Sequence, residues 1–287
     1  MPLTDLTPEP VALPNGVVLN HVRQGSGPVL IFIHGAMGDW RSWEPQWEVF
    51  TASFDCIAYS RRYSFPNPNT MASPDHGAFV DAEDLVGLMD ALEIGKAILV
   101  GSSYGAFTAL ALAVRAPERV AALAGVEPPM MRYAEMTTEG MRIAAAFREA
   151  TVLPARAAFQ RGDDEEGARI LTSGIGAGRQ RTDPMPAGLM QARLQNIPAA
   201  RMLSLSSDEF PLIPPQSLAA LPVPVLLMSG AETAPVHAAI FREVSRHLPS
   251  SARVRVVEGC GHSVSRQNPD AFNREVLAFL EEVTAAN

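Results

Sequence analysis

Lysine is almost absent from this chain: of its 23 basic residues one, Lys96, is a lysine and the rest are arginines. With alanine so abundant, the bias reflects GC-rich coding more than a physical demand. Cysteine is nearly as scarce, Cys56 and Cys260 alone among 287 residues. Two such residues, far apart, make neither a disulfide framework nor a thiolate metal site. Positive charge is outweighed, 23 basic residues against 31 acidic, for a net charge of -8. That balance argues against nucleic acid or an anionic membrane as partner. No apolar run is long enough to span a bilayer. The opening MPLTDLTPEP carries neither the basic nor the apolar region of an export signal, so a cytoplasmic location is the expectation. What remains is 47% hydrophobic and 19% charged residues, a globular composition. The length suits one large core, or a core with a smaller insert.

The segment KAILVGSSYG, Lys96 to Gly105, organises the rest. Ile98-Leu99-Val100 suits a strand covered on both faces, and Ala106 to Ala116 predicts a helix rich in alanine and leucine. Between them, Gly101-Ser102-Ser103-Tyr104-Gly105 fits G-x-S-x-G. On a tight strand-to-helix turn a serine hydroxyl stands exposed above the sheet. The glycines permit close backbone approach, and the helix N-terminus favours negative charge developing there. Ser103 is the candidate nucleophile; the plainer alternative is a packed turn of small residues.

Strands are expected at Gly16 to Gly25 and Pro28 to Ile33, joined at Gly25-Ser26-Gly27. The second runs into His34-Gly35-Ala36-Met37-Gly38, and such a loop supplies one of two backbone oxyanion donors. The donors expected are the N–H groups of Ala36 and Tyr104. His34 reads as a structural, hydrogen-bonding histidine. Trp40, Trp43 and Trp47 recur at helical spacing and predict a helix face packed on the core in preference to a substrate wall. A strand at Asp55 to Tyr59 leads into Arg61-Arg62, which can hold an anionic substrate group or pair with the acidic helix that follows. That helix, Phe79 to Leu92, carries Asp81, Glu83 and Asp84 on what reads as a solvated face rather than a metal site.

Val120 to Val126 is the next expected strand, closing in Glu127-Pro128-Pro129. From there to about Leu221 the strand–helix alternation stops. Helices are expected at Ala134 to Ala150, Ala155 to Ile170 and Gly188 to Leu205, separated by GIGAG and TDPMPAG. The organisation expected is a core of residues 1–129 and 222–287 with a helical cap at 130–221. Met130, Met131, Met136, Met141, Met185, Met190 and Met202 line an adaptable pocket under that cap or simply pack its core. Alternation then resumes: strands at Pro224 to Met228 and Arg253 to Val257, helices at Pro235 to Leu248 and Ala271 to Val283. The fold class is α/β, a mostly parallel, doubly wound sheet with a helical insertion.

A serine hydroxyl needs a base, and the base an orienting acid. His262 is the candidate base. It lies on the turn Gly259-Cys260-Gly261-His262 after the last strand, late in the chain as the order serine, acid, histidine requires. Two carboxylates compete as acid. Glu232 is in the loop after the strand ending at Met228, but the position where the aspartate usually falls is Thr233. Glu127 ends the strand after the nucleophile's helix, with two prolines to stiffen the chain beyond it; it is the preferred acid, and tying down the cap is its plainer reading.

HGAMG, GSSYG, an insertion after Glu127-Pro128-Pro129, and GCGH, in that order over nearly the whole chain, resemble an α/β-hydrolase fold enzyme with a helical cap. The resemblance implies hydrolysis. Haloalkane dehalogenases and resorcylic-lactone hydrolases include members with an acid after this same strand, which supports Glu127. Dehalogenases and epoxide hydrolases use an aspartate nucleophile where Ser103 stands, so neither activity is implied. The loop that usually reads like D-x-x-G-x-G is SRRYSF here, a departure from the pattern. The function expected is a serine hydrolase acting on a carboxylic ester or lactone with a sizeable apolar part, with no metal or organic cofactor and an undetermined oligomeric state. Two rivals share the fold: a cofactor-free oxygenase or lyase that uses the histidine–acid pair, and a ligand sensor in which catalysis is incidental.

Overall fold

The structure is a computed structural model and describes residues 1–71, 73–176, 187–208 and 210–285. Among these, eight strands form one sheet: β1 (Glu9–Ala12), β2 (Val18–Gln24), β3 (Val29–Ile33), β4 (Asp55–Tyr59), β5 (Ala97–Ser102), β6 (Val120–Val126), β7 (Val225–Gly230) and β8 (Arg253–Val257). Their spatial order is β1-β2-β4-β3-β5-β6-β7-β8; β1–β2 and β2–β4 pair antiparallel and the rest parallel. The chain passes from β3 outward to β4, then crosses back to β5 on the other side of β3. At that reversal the connections leave in opposite directions and open a crevice beyond the carboxyl ends of the strands. Of the eight strands, β1 has no counterpart in the sequence reading: it is four residues long, exposed, and contains Pro10, which a sheet tolerates at its edge.

Strand alternation sends neighbouring side chains to opposite faces. Ile31 and Ile33 of β3 join Ile57, Leu99, Leu123 and Leu227 on one face, against α2 (Ala78–Ala91), α3 (Tyr104–Arg115) and α11 (Pro235–Arg246). Leu30 and Phe32 join Val100, Ala124 and Met228 on the other, against α1 (Glu44–Thr51) and α13 (Pro269–Ala285). With both faces covered, the central strands carry the continuous apolar runs seen in the sequence. The three tryptophans are buried in this second core, but not on one helix. Trp40–Trp43 is a 3-10 turn, and α1 begins at Glu44-Pro45.

Between β6 and β7 the chain is helical: α4 (Met131–Ala134), α5 (Thr138–Phe147), a π-helical turn at Arg148–Val152, α6 (Leu153–Gln160), α7 (Asp164–Ile175), α8 (Ala187–Gln195), α9 (Ile197–Leu205) and α10 (Pro215–Ala219). Two of the expected helices here are too long. The second is cut at Gly162, whose φ of 82° ends α6, after which the Asp163 side chain caps α7. The third is cut at Asn196, whose side chain accepts from Phe65 N–H and donates to Asp39, followed by Pro198 in the first turn of α9. Residues 177–186, which hold most of TDPMPAG and Met185, lie outside the described residues. Ala155, Phe159, Leu171 and Ala200 form a small core of their own that also takes in Met37 from the loop after β3. After α11 come β8, the single turn α12 (Val264–Gln267) and α13.

Candidate active site

Three carboxyl ends of parallel strands converge beyond the reversal at β3. Ser103 follows β5 with φ 53° and ψ -120°, a left-handed conformation unfavourable for a residue with a side chain. It is held there because its N–H donates to Val126 O of β6 at 2.7 Å while α3 starts at the next residue. Gly105 is where α3 crosses the end of β3, and a Cβ there would run into the Ile33 carbonyl. Glu127 follows β6, also at positive φ, 41°, with its N–H donating to Met228 O of β7. His262 lies on the loop after β8, which packs so closely on the end of β7 that Gly230 has no room for a Cβ.

The structure brings the three side chains into one series. His262 Nε2 is 2.9 Å from Ser103 Oγ, and His262 Nδ1 is 2.6 Å from Glu127 Oε2. Both His262 (8% exposed) and Glu127 (2%) are shielded from water. Neither ring nitrogen of His262 bonds to Glu232; the Glu232 backbone N–H donates to Cys260 O.

Glu127 is surrounded by donors. Oε1 accepts from Ser229 Oγ at 2.6 Å and Gly230 N at 2.9 Å; Oε2 accepts from Thr233 Oγ1 at 2.7 Å as well as from the imidazole. Thr233, the position where an acid was sought, thus donates to Glu127. Burial opposes the charge, but the bond from His262, its positive charge and the Ser229 hydroxyl outweigh that and hold the carboxyl at about 2. Its folded value is depressed from an ordinary 4.5, so its contribution to stability is complete above the ordinary value and is lost as pH falls toward 2. Glu127→Gln is therefore expected to lose less melting temperature than wild type between about pH 5 and pH 2, read by thermal denaturation; an equal loss would contradict it.

The loop after β3 is braced from beneath. His34, fully buried, donates from Nδ1 to Gly35 O at 2.8 Å and accepts Arg61 N–H at Nε2, 2.9 Å. Burial, then the Arg61 charge, pushes this ring down to about 3, so it stays neutral. The Arg61 guanidinium contacts Gly35 O and Ala36 O at 3.3 Å, lies over the Tyr104 ring at 4.6 Å, and pairs with Asp81 at 2.5 Å. Arg62 pairs with Asp84. The acidic face of α2 is only partly solvated as the sequence suggested: Glu83 is exposed, but Asp81 (1% exposed) and Asp84 (2%) are buried under the two arginines. Burial opposes ionisation of Asp81, but the Arg61 charge keeps its carboxyl below the usual range. Arg61→Leu would leave that carboxylate buried with only the His76 ring, 3.3 Å away, as a basic partner, at an expected cost of about 3–5 kcal/mol. Adding Asp81→Asn should recover much of the melting temperature, and no recovery would show that the guanidinium acts through other contacts.

A sequence model of the alpha/beta hydrolase family matches residues 30–275. The chain belongs to that family. It is 26% identical over 272 residues to the 2-(acetamidomethylene)succinate hydrolase of Mesorhizobium japonicum, covering 92% of each protein. It is also 26% identical to carboxylesterase YbfK of Bacillus subtilis, over 88% of this chain and 80% of that one. The crystal structure of that carboxylesterase superposes with a TM-score of 0.71, covering 97% of this chain and 93% of that one at 23% identity. A 34% match to an epoxide hydrolase of Caballeronia sordidicola spans 45% of this chain and 40% of that protein. These relatives are hydrolases of differing chemistry, so family membership establishes a hydrolase scaffold and leaves the bond cleaved to the site.

In this alpha/beta hydrolase two cavities meet at Ser103. The smaller, about 60 Å³, has Tyr104, Met131, Phe147, Leu171, Phe210 and His237 among its lining, with Ser103 and Ser204 contributing hydroxyls, and its accessible surface is almost wholly apolar. The larger, about 750 Å³, has Gly35, Ala36, Met37 and His262 on one side, and Arg193, Arg266 and Gln267 on the other. The Arg193 guanidinium donates to Met37 O, and burial followed by the Arg266 charge lowers it to about 10. Of the methionines singled out, Met131 lines the apolar cavity, Met202 faces a small polar cavity beside Arg61, Met130 is core, and Met136 and Met141 are exposed.

Among the described residues, Glu127, His237 and His262 place possible metal-ligand atoms within 4.8 Å of one another. Both His262 nitrogens are already committed, so an ion there would have to displace Ser103 or Glu127. No contact with this series was expected in the sequence for Ser229, Thr233 or His237. They contact Glu127 or His262 across gaps of 102 and 106 residues for the first two, and no local pattern encodes such pairing.

Proposed function

We propose that this chain is a serine hydrolase that cleaves a carboxylic ester or lactone with a sizeable apolar part. Ser103 Oγ attacks the carbonyl carbon as its proton passes to His262 Nε2. Glu127 accepts the Nδ1–H, fixing the tautomer and stabilising the imidazolium. The N–H groups of Ala36 and Tyr104 donate to the oxyanion, and loss of one such donor typically costs about 3 kcal/mol of transition-state stabilisation. His262 returns the proton to the departing alkoxide, leaving an acyl-Ser103. Water then attacks that ester, giving its proton to His262 and releasing the acid and the free serine. None of these steps calls on a metal or an organic cofactor.

The observation that supports this reading is the unbroken hydrogen-bond series from Ser103 through His262 to Glu127. It is reinforced by the strained elbow at Ser103 and by an apolar cavity opening on its hydroxyl. We assign the acyl group to that apolar cavity, where it stays while bound to the serine. The leaving group faces the wider chamber, and the helices of 130–221 act as the lid. A panel of esters and lactones graded in acyl length and ring size tests the proposal. Turnover rising with apolar acyl content and then falling as the small cavity fills is the expected result. Failure to hydrolyse any ester or lactone, with oxygen uptake or lyase activity on a heteroaromatic or cyanohydrin ligand instead, would overturn it.

A further inference from the structure

We infer that His237 is a polar subsite within the apolar cavity, hydrogen-bonding a hydroxyl, keto or ether oxygen that the substrate's acyl group carries close to its scissile carbonyl. The inference rests on the reading of Ser103 as nucleophile and deepens it.

His237 lies in the first turn of α11 and is 4% exposed. Its ring stacks on that of His262, centroids 4.0 Å apart and planes within 22°, and the Phe147 ring meets it edge-on at 6.2 Å. The same ring forms part of the cavity wall on which Ser103 opens. Neither of its nitrogens has a hydrogen-bond partner of good geometry. The Ile175 carbonyl is near enough to favour a protonated ring slightly, without making such a bond. A phenyl or leucine side chain would fill this space and pack on His262 with no polar atom to desolvate. An imidazole buried with both nitrogens unmatched is costly unless something supplies the missing bond. The cavity is the direction from which it comes: the hydroxyls of Ser103, Tyr104 and Ser204 also line it, but none of them bonds to His237, and the remaining walls (Pro129, Met131, Leu171, Ile175, Phe210) carry no side-chain donor or acceptor.

Burial and the neighbouring His262 charge push His237 down to about 3. The neutral ring therefore offers one N–H donor and one acceptor, which suits an uncharged oxygen better than a carboxylate. The oxygen sits near the reacting carbonyl because the ring under His237 is the one bonded to Ser103.

Two pairs of p-nitrophenyl esters, each differing by hydroxyl against methyl, test the subsite: 2-hydroxypropanoyl against 2-methylpropanoyl, and 3-hydroxybutanoyl against 3-methylbutanoyl. For each pair the hydroxyl-to-methyl ratio of kcat/KM is divided by the same ratio for alkaline hydrolysis in solution, which removes intrinsic reactivity. In wild type the corrected ratio of at least one pair should exceed unity by about tenfold or more. In His237→Phe it should collapse toward one, and His237→Gln, which keeps a donor and an acceptor, should restore part of it. A corrected wild-type ratio near one for both pairs would overturn the subsite without needing any variant. So would His237→Phe slowing both members of each pair alike, the behaviour of a residue that only positions His262. If wild type turns over none of the four esters and a fluorophosphonate leaves Ser103 unlabelled, the serine-hydrolase reading itself has failed; labelling or turnover with no preference removes the subsite alone.

Discussion

Ser103→Ala is expected to lower kcat on the best ester by about a millionfold while leaving melting temperature close to wild type. The size follows from the role: without Oγ there is no covalent intermediate, and His262 has nothing on the reacting carbonyl to activate except water. The oxyanion donors and binding cavities survive the change, so a residual rate about a thousandfold above water is compatible with it. Ser103 is only partly buried and its hydroxyl bonds to His262, so its removal opens no core cavity. Retention of more than about one per cent of kcat, against the loss expected for a triad serine, would favour the rival in which the histidine–acid pair does the chemistry and the serine is auxiliary.

The second large effect is expected at Glu127. Glu127→Gln should lower kcat by about ten-thousandfold, with KM little changed, because all four of the carboxylate's partners can donate. An amide oriented with its NH2 toward His262 faces Nδ1 as a donor and forces the tautomer whose Nε2 carries the proton, which cannot accept one from Ser103. The opposite orientation points the NH2 at the Gly230 N–H, which has no way to turn. Glu232→Gln should leave kcat close to wild type, since His262 bonds to Glu127 and Ser103 instead. The reverse ranking would move the acid to the loop after β7.

What was legible in the sequence was local. Ser103 and His262 sit in short motifs that a strand end, a glycine and a helix start define within a few residues. The contact of Glu127 with His262 was legible because Glu127 closes a strand whose place in the alternation is countable, and because Thr233 occupies the competing position. Asp81 and Asp84 were misread because periodicity places a carboxylate on the polar side of a helix but cannot say what covers that side; Arg61 and Arg62 do. The helix breaks at Gly162 and Asn196 were missed for different reasons. A lone glycine is tolerated inside many helices, whereas Asn196 earns its place through Asp39 and Phe65, more than a hundred residues away. Nothing local marks His237, because its neighbour in space, His262, belongs to another element.

The chemistry proposed requires one activated hydroxyl, at 103 and not at its neighbour 102. Incubation with a fluorophosphonate or sulfonyl fluoride, then digestion and mass spectrometry, reads that directly. One adduct on Ser103, blocked when His262 is replaced by alanine, is the result predicted. An adduct on Ser102, or an unmodified Ser103 under conditions that label a known esterase, would contradict it.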